Sequence, residues 1–308
     1  MSSKSVLFHC PQMEKLAHQI VERHPEIELG IVRWDHFEDG FPNFFVDGVK
    51  ISVKGRHVSF LASFDTPAAI FEQMSVIYAF PSYLARSFKV LLPYFPTGTM
   101  ERENELGEIA TAKTLARMLS AIPISKFGSA EIVVFDIHAL GERFYFGDQV
   151  VTRFESGIQI LRDRLENMGQ DISIAFPDDG AAKRFGRKFP DYPQIICGKV
   201  RDGDKRYVRI KEGNPVGRHV VIVDDLIQTG ATARESGRVL KETGAEKVSI
   251  YATHGVFPKQ SWRTFLDAGF EHVFITDSCP WTIEAVTGIA PFEVLSLSGQ
   301  LAEIVLDH

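Results

Sequence analysis

The chain is short of cysteine, of net positive charge and of long apolar runs, and each shortage excludes a class of protein. Cys10, Cys197 and Cys279 are scattered, with no C-x-x-C pair. That argues against a disulfide framework and against structural zinc, and it suits a reducing cytoplasm. A formal charge of -6 at pH 7 has the wrong sign for a nucleic-acid footprint. No apolar run approaches the roughly 20 residues of a membrane span, and the first ten residues hold too short an apolar stretch for a signal peptide. Neither a Walker A loop nor a G-x-G-x-x-G fingerprint is present. What remains is ordinary for a soluble globular protein: 308 residues, 44% hydrophobic and 24% charged. Such a chain forms one large domain or two ordinary ones.

One stretch stands out, His219-Val220-Val221-Ile222-Val223-Asp224-Asp225-Leu226-Ile227-Gln228-Thr229-Gly230-Ala231-Thr232. The unbroken apolar run at 220–223 predicts a strand buried on both faces. A helix is expected over 232–243, with Gly244 as its stop. Between them lie an acid pair and a Thr/Gly loop. In an open parallel sheet, ligands bind beyond the carboxyl ends of the strands. A loop opening a helix there offers unpaired N–H groups and the positive end of the helix dipole to a phosphate. Thr229 and Thr232 add hydroxyls, and Gly230 lets the backbone come close. Asp224 and Asp225 repel phosphate, but they can accept from sugar hydroxyls or hold magnesium. A phosphate at one end and vicinal hydroxyls in the middle describe a ribose 5-phosphate.

Elsewhere the periodicity predicts β-α-β units throughout. Strands are expected at 6–9, 31–34, 57–62, 89–92, 132–135, 172–176, 194–197, 248–252 and 272–276. Helices are expected at 13–23, 67–85, 109–119, 156–168 and 301–306, and a β-hairpin at 44–46 and 50–53 around Asp47-Gly48. An internal echo appears: the stretch from His57-Val58 to Phe95-Pro96 returns 162 residues later as His219-Val220 to Phe257-Pro258. In the first copy Ala62-Ser63 replaces the acid pair, so only the second is expected to hold a sugar phosphate.

Further polar groups follow strands: His138 in Asp136-Ile137-His138-Ala139, Asp178 in Pro177-Asp178-Asp179-Gly180, and a basic segment from Lys199 to Lys211. Strand ends of a parallel sheet share one rim, so such groups can converge. Each also has a plainer reading. Asp178 can be a helix N-cap, Asp136 and His138 a turn with a satisfied histidine, the basic segment a solvated hairpin, and Phe37 a core residue.

Taken together, Asp136-Ile137-His138-Ala139, Pro177-Asp178-Asp179-Gly180, Lys199-Val200-Arg201 and 221–232 resemble the phosphoribosyl pyrophosphate synthetases, or ribose-phosphate diphosphokinases. The likeness is greatest to the plant-type class II enzymes, through Phe95-Pro96-Thr97-Gly98-Thr99, 135–146, Thr253-His254-Gly255 and Pro291-Phe292-Glu293-Val294-Leu295-Ser296. The resemblance implies an α/β fold of two similar type I phosphoribosyltransferase-like domains, each a mainly parallel sheet flanked by helices. They would span 1–152 and 153–308, with the last ~15 residues packing back on the first. It implies ATP and ribose 5-phosphate as substrates, Mg²⁺ as cofactor and a homo-oligomer. Asp224, Asp225, Gln228, Thr229, Gly230, Ala231 and Thr232 would bind ribose 5-phosphate. His138 and Asp178 would hold the magnesium of MgATP, and Lys199 and Arg201 would act from a mobile loop on the transferred group. Phe37, Asp39, Glu101, Arg102 and His138 would face ATP. The rivals are a phosphoribosyltransferase and a non-catalytic regulatory relative. The chain departs from the commoner class at Phe41, at Met100-Glu101-Arg102 and at Asp179-Gly180-Ala181.

Overall fold

The computed structural model describes residues 5–100, 102–103, 105–169, 171–202 and 205–308. The chain divides into two compact units, Met1–Glu155 with Leu297–His308, and Ser156–Ser296.

The first unit contains β1 (Ser5–His9), α1 (Glu14–Arg23), β2 (Ile27–Leu29), β3 (Val32–His36), β4 (Pro42–Val46), α2 (Val49–Ser52), β5 (His57–Leu61), α3 (Pro67–Ser82), β6 (Ser87–Leu91), α4 (Thr111–Ser120), β7 (Ala130–Phe135) and β8 (Val150–Glu155). Among the described residues its main sheet is all parallel, in the order β2-β1-β5-β6-β7-β8. The strands are apolar without alternation because helices cover the sheet. In α1, Leu16, Ala17 and Ile20 turn inward, while Glu14 and Arg23 sit at the ends that the helix dipole favours.

The second unit contains α5 (Ile158–Glu166), β9 (Ile172–Phe176), α6 (Asp179–Phe185), β10 (Gln194–Asp202), β11 (Lys205–Glu212), β12 (His219–Ile227), α7 (Ala231–Glu242), β13 (Lys247–Gly255), β14 (Val273–Thr276), α8 (Pro280–Val286) and β15 (Phe292–Leu295). The sheet order is β11-β10-β9-β12-β13-β14-β15, parallel except for the antiparallel edge pair β10–β11. The last helix, α9 (Ser298–Leu306), belongs to the first unit and buries Leu301, Ala302, Ile304 and Val305. Lys89 Nζ caps it at the Ile304 carbonyl, 2.7 Å away.

Strand β12 is buried on both faces. Val220 and Ile222 pack with Val248, Ile250 and Leu240 on one side. Val221 and Val223 pack with Ile174, Phe176 and Tyr251 on the other. The echo is structural as well. Strands β1-β5-β6-β7-β8 and β9-β12-β13-β14-β15 run in the same order through the two sheets. Even the polar detail repeats: His57 Nδ1 meets Ser87 Oγ at 2.8 Å, and His219 Nε2 meets Ser249 Oγ at 2.8 Å.

Two local expectations are corrected. No hairpin forms at 44–53: β4 pairs antiparallel with β3, and 49–52 is the short helix α2. Alternation over so few residues does not separate strand from helix, and Gly48 at φ +62 starts the helix. The strand expected at 194–197 continues to Asp202 and pairs antiparallel with β11, so the basic segment is a two-stranded hairpin, as its plainer reading had it. Residues 150–155, around the boundary expected at 152/153, form β8, the outer strand of the first sheet.

Candidate active site

In the second unit, β12 carries the acid pair inside the strand, with Asp224 opposite Ala252 and Leu226 opposite His254 of β13. Asp225 is buried and faces the Arg184 guanidinium of α6 at 3.3 Å. Asp224 accepts from the Asp225 N–H at 2.9 Å. Burial first, and then the charges of Asp225 and Asp178, push the Asp224 carboxyl well above the usual carboxylate range. Three acids thus crowd one strand-end region, with Arg184 in contact with one of them.

Beyond the strand, loop 228–230 turns into α7. Gly230 has φ +74 and serves as the N-cap, with no side-chain cap bond. A Cβ there would lie 2.3 Å from the Phe265 ring, so both the conformation and the space demand glycine. Among the described residues nothing accepts from the N–H groups of Gln228, Thr229 or Gly230. Gln228 and Thr229 are exposed. A row of unpaired donors at a helix start is an anion cradle. Ala231 and Thr232 open the helix itself.

Asp178 is the N-cap of α6, its Oδ1 accepting from the Ala181 N–H at 2.9 Å. The plainer reading of this residue therefore holds for one oxygen. Asp179 pairs with Lys211 Nζ of β11 at 2.6 Å. Lys199 and Arg201 stand on β10, opposite Val208 and Arg206, and their side chains lie outside the described part.

In the first unit, β7 leads into Asp136, which is buried and has φ +33. The turn brings out His138, which is exposed. Phe37 is 55% exposed, so it is not a core residue. It sits in the β3–β4 turn, where its N–H donates to the Phe41 carbonyl at 2.9 Å, and Asp39 Oδ1 accepts from the Phe41 N–H at 3.1 Å. Arg102 is exposed, and Glu101 lies outside the described residues.

Two family models match the chain. One described as the N-terminal domain of ribose phosphate pyrophosphokinase covers residues 5–122, and one described as a phosphoribosyl synthetase-associated domain covers 204–305. Ribose-phosphate pyrophosphokinase 3, chloroplastic, of Oryza sativa subsp. japonica is 54% identical over 306 residues, covering 96% of this chain and 75% of the relative. The chain belongs to the ribose-phosphate pyrophosphokinase family. Ribose-phosphate pyrophosphokinase 4 of Arabidopsis thaliana is 52% identical over 305 residues, covering 96% of this chain and 90% of the relative. The crystal structure of phosphoribosylpyrophosphate synthetase from Mycobacterium smegmatis matches with a TM-score of 0.82, covering 98% of each chain. At 23% identity that likeness speaks for the fold.

Sequence reasoning missed several residues of this pyrophosphokinase chain. Arg184 carried no strand-end signal, and only the packing of α6 brings it to Asp225. His254 is buried at the end of β13, with Nδ1 2.9 Å from Ser278 Oγ. Phe265 lies 35 residues from Gly230 in sequence, yet shapes it. Chemistry placed by tertiary contact leaves no local pattern to read.

Proposed function

We propose that this protein is a ribose-phosphate diphosphokinase, transferring the β,γ-diphosphoryl group of MgATP to the C1 hydroxyl of ribose 5-phosphate. The products are phosphoribosyl pyrophosphate and AMP. The observation that carries the reading is the acid pair, Asp225 buried and Asp224 half-buried, beside a loop of unsatisfied N–H donors. That loop suits the 5-phosphate, and Asp224 and Asp225 suit the ribose hydroxyls.

The donors present fit a magnesium ion. Among the described residues no group of three His, Cys, Asp or Glu forms a closed cage. Mg²⁺ in phosphate-transfer sites uses one or two protein ligands, completed by substrate oxygens and water. His138, exposed, and Asp178, with Oδ1 committed to its N-cap bond, would each offer such a ligand. Bound magnesium would neutralise charge on the ATP phosphates. The protein aligns the sugar oxygen with the β-phosphorus, and Lys199 and Arg201 stabilise charge on the transferred group. Phe37, Asp39, Arg102 and Glu101 serve ATP. No general base is assigned.

The exposed Phe37, Phe41, Phe45 and Phe71 support a homo-oligomer in which the first unit meets a second copy. No described helix is long and apolar enough to cross a membrane. Three buried, unbridged cysteines support a reducing compartment such as the cytoplasm, whereas the names of relatives include chloroplastic and mitochondrial.

The test is product identity. With Mg²⁺, ATP and ribose 5-phosphate the purified protein releases AMP; release of ADP, or no turnover, overturns the proposal. Lys199→Ala lowers kcat by about two to three orders of magnitude, as loss of a transition-state donor does, with KM little changed. Lys205→Ala does much less, and equal activity of the two variants removes Lys199 from the mechanism.

A further inference from the structure

The N–H groups of loop 228–230 must be aimed as well as unpaired, and the segment that follows β13 does the aiming. Val256 N–H donates to the Ile227 carbonyl at 2.9 Å, and Phe257 N–H reaches the same oxygen at 3.4 Å. One step on, the Ser261 hydroxyl donates to the Gln228 carbonyl at 3.0 Å. A trans peptide is planar, so its carbonyl and its N–H point in opposite directions. Pinning the carbonyls of Ile227 and Gln228 to residues 256–261 therefore turns the N–H groups of Gln228 and Thr229 away from that segment. The first pin extends the β12–β13 ladder and is made by backbone alone. The second depends on one side chain.

Ser261 reaches this place through an unusual turn. Phe257, Lys259 and Gln260 have φ of 42, 53 and 60, a region that non-glycine residues seldom occupy. Such backbone persists where its surroundings over-determine it. Here Phe257 is buried against Phe265 and Phe292, with ring centroids 5.4 and 5.8 Å apart, and Trp281 Nε1–H holds the Val256 carbonyl at 3.1 Å. The same Phe265 seats against Gly230, so one segment braces the loop at three successive points.

We propose that Ser261 is a positioning residue for the sugar phosphate: its hydroxyl sets the tilt of the peptide between Gln228 and Thr229, so that the Thr229 N–H meets the 5-phosphate. It contacts the loop from behind and acts through it. The inference rests on reading 228–232 as the ribose 5-phosphate loop.

Calorimetric binding of ribose 5-phosphate, alongside steady-state kinetics and melting, tests it in the full chain. Ser261→Ala should weaken ribose 5-phosphate binding about tenfold, the scale of one charge-assisted hydrogen bond. The KM for ATP and the melting temperature should stay near the parent values, and Ser261→Thr, which keeps the hydroxyl, should restore binding. Parent-like binding by Ser261→Ala, equal weakening toward ATP, or no recovery with threonine overturns the proposal. A parent protein that binds no ribose 5-phosphate removes the reading of the loop itself, and this inference with it.

Discussion

In the first unit, β5 runs into Ala62 and Ser63, and the protein closes the following loop itself. Gln73 of α3, fully buried, accepts from the Ser63 N–H at 3.0 Å and donates to the Ser63 carbonyl at 2.6 Å. Thr66 caps α3, its hydroxyl accepting from the Ala69 N–H at 3.1 Å. In the second unit, the equivalent strand β12 runs into Asp224 and Asp225. Its helix starts at an uncapped Gly230, and the loop donors have no protein acceptor among the described residues. The same strand-loop-helix device is thus self-satisfied in one copy and unfinished in the other. Unpaired donors and crowded acids cost stability, and the proposed sugar-phosphate site would use both.

The largest effect is expected where the unfinished copy is most constrained. Gly230→Ala forces an L residue into a left-handed conformation and drives its Cβ into Phe265. Displacement of the loop by about 1 Å should cost on the order of 10² in turnover of ribose 5-phosphate, read by steady-state kinetics. Near-parent kinetics would dissociate the loop from the reaction.

Next comes Asp225→Ala. It should weaken ribose 5-phosphate binding more than ATP binding, and calorimetry showing the reverse order would move the sugar elsewhere. It also removes the carboxylate that faces the half-buried Arg184 guanidinium at 3.3 Å, so denaturant midpoints should fall, and Arg184→Met in the same chain should recover part of the loss.

The self-satisfied copy supplies the control. Gln73→Met keeps the volume and removes both bonds to Ser63, leaving a buried N–H and carbonyl unpaired at a cost of about 1–3 kcal/mol. Ribose 5-phosphate affinity should be unchanged. A matching loss of affinity would mean that the first copy also serves the sugar phosphate.

Asp224→Asn should act in the opposite sense on stability. The raised pKa means that, above about pH 4, the folded protein holds a proton which the unfolded chain releases. Stability therefore falls as pH rises from about 4, the unfolded value, through the raised native one. The amide removes that penalty, so the substrate-free melting temperature at neutral pH should rise by a few degrees while ribose 5-phosphate binding declines. A lower melting temperature would show that the acid pair is not the strained element.

The smallest effect is shared by both copies. His57 and His219 are held below the usual imidazole range, chiefly by burial. Folding then favours the neutral rings, and this contribution is lost as pH falls below about 6.5, the unfolded value. Melting curves between pH 7 and 5 should show a slight decline that His219→Asn flattens. An unaltered slope would assign the decline to other groups.

Much of this was legible in the order of residues. An unbroken apolar run announces β12, Gly244 announces the end of α7, and Thr229-Gly230-Ala231-Thr232 after an acid pair announces the strand-to-helix turn. These signals are local, set by backbone sterics and by the period of burial. The alternating stretch 50–53 misled for the same reason: four residues fit either period, and the pairing of β3 with β4 decided the outcome. Tertiary structure alone brought Arg184 to Asp225, Gln73 to Ser63, Ser261 to the Gln228 carbonyl and Phe265 to Gly230. Sequence could determine where the strand-to-helix loop begins and which copy carries the acid pair, because those follow from residue type and neighbours along the chain. Which donors stay unpaired and which carboxylates stay crowded depends on side chains arriving from distant elements, and only packing decides that.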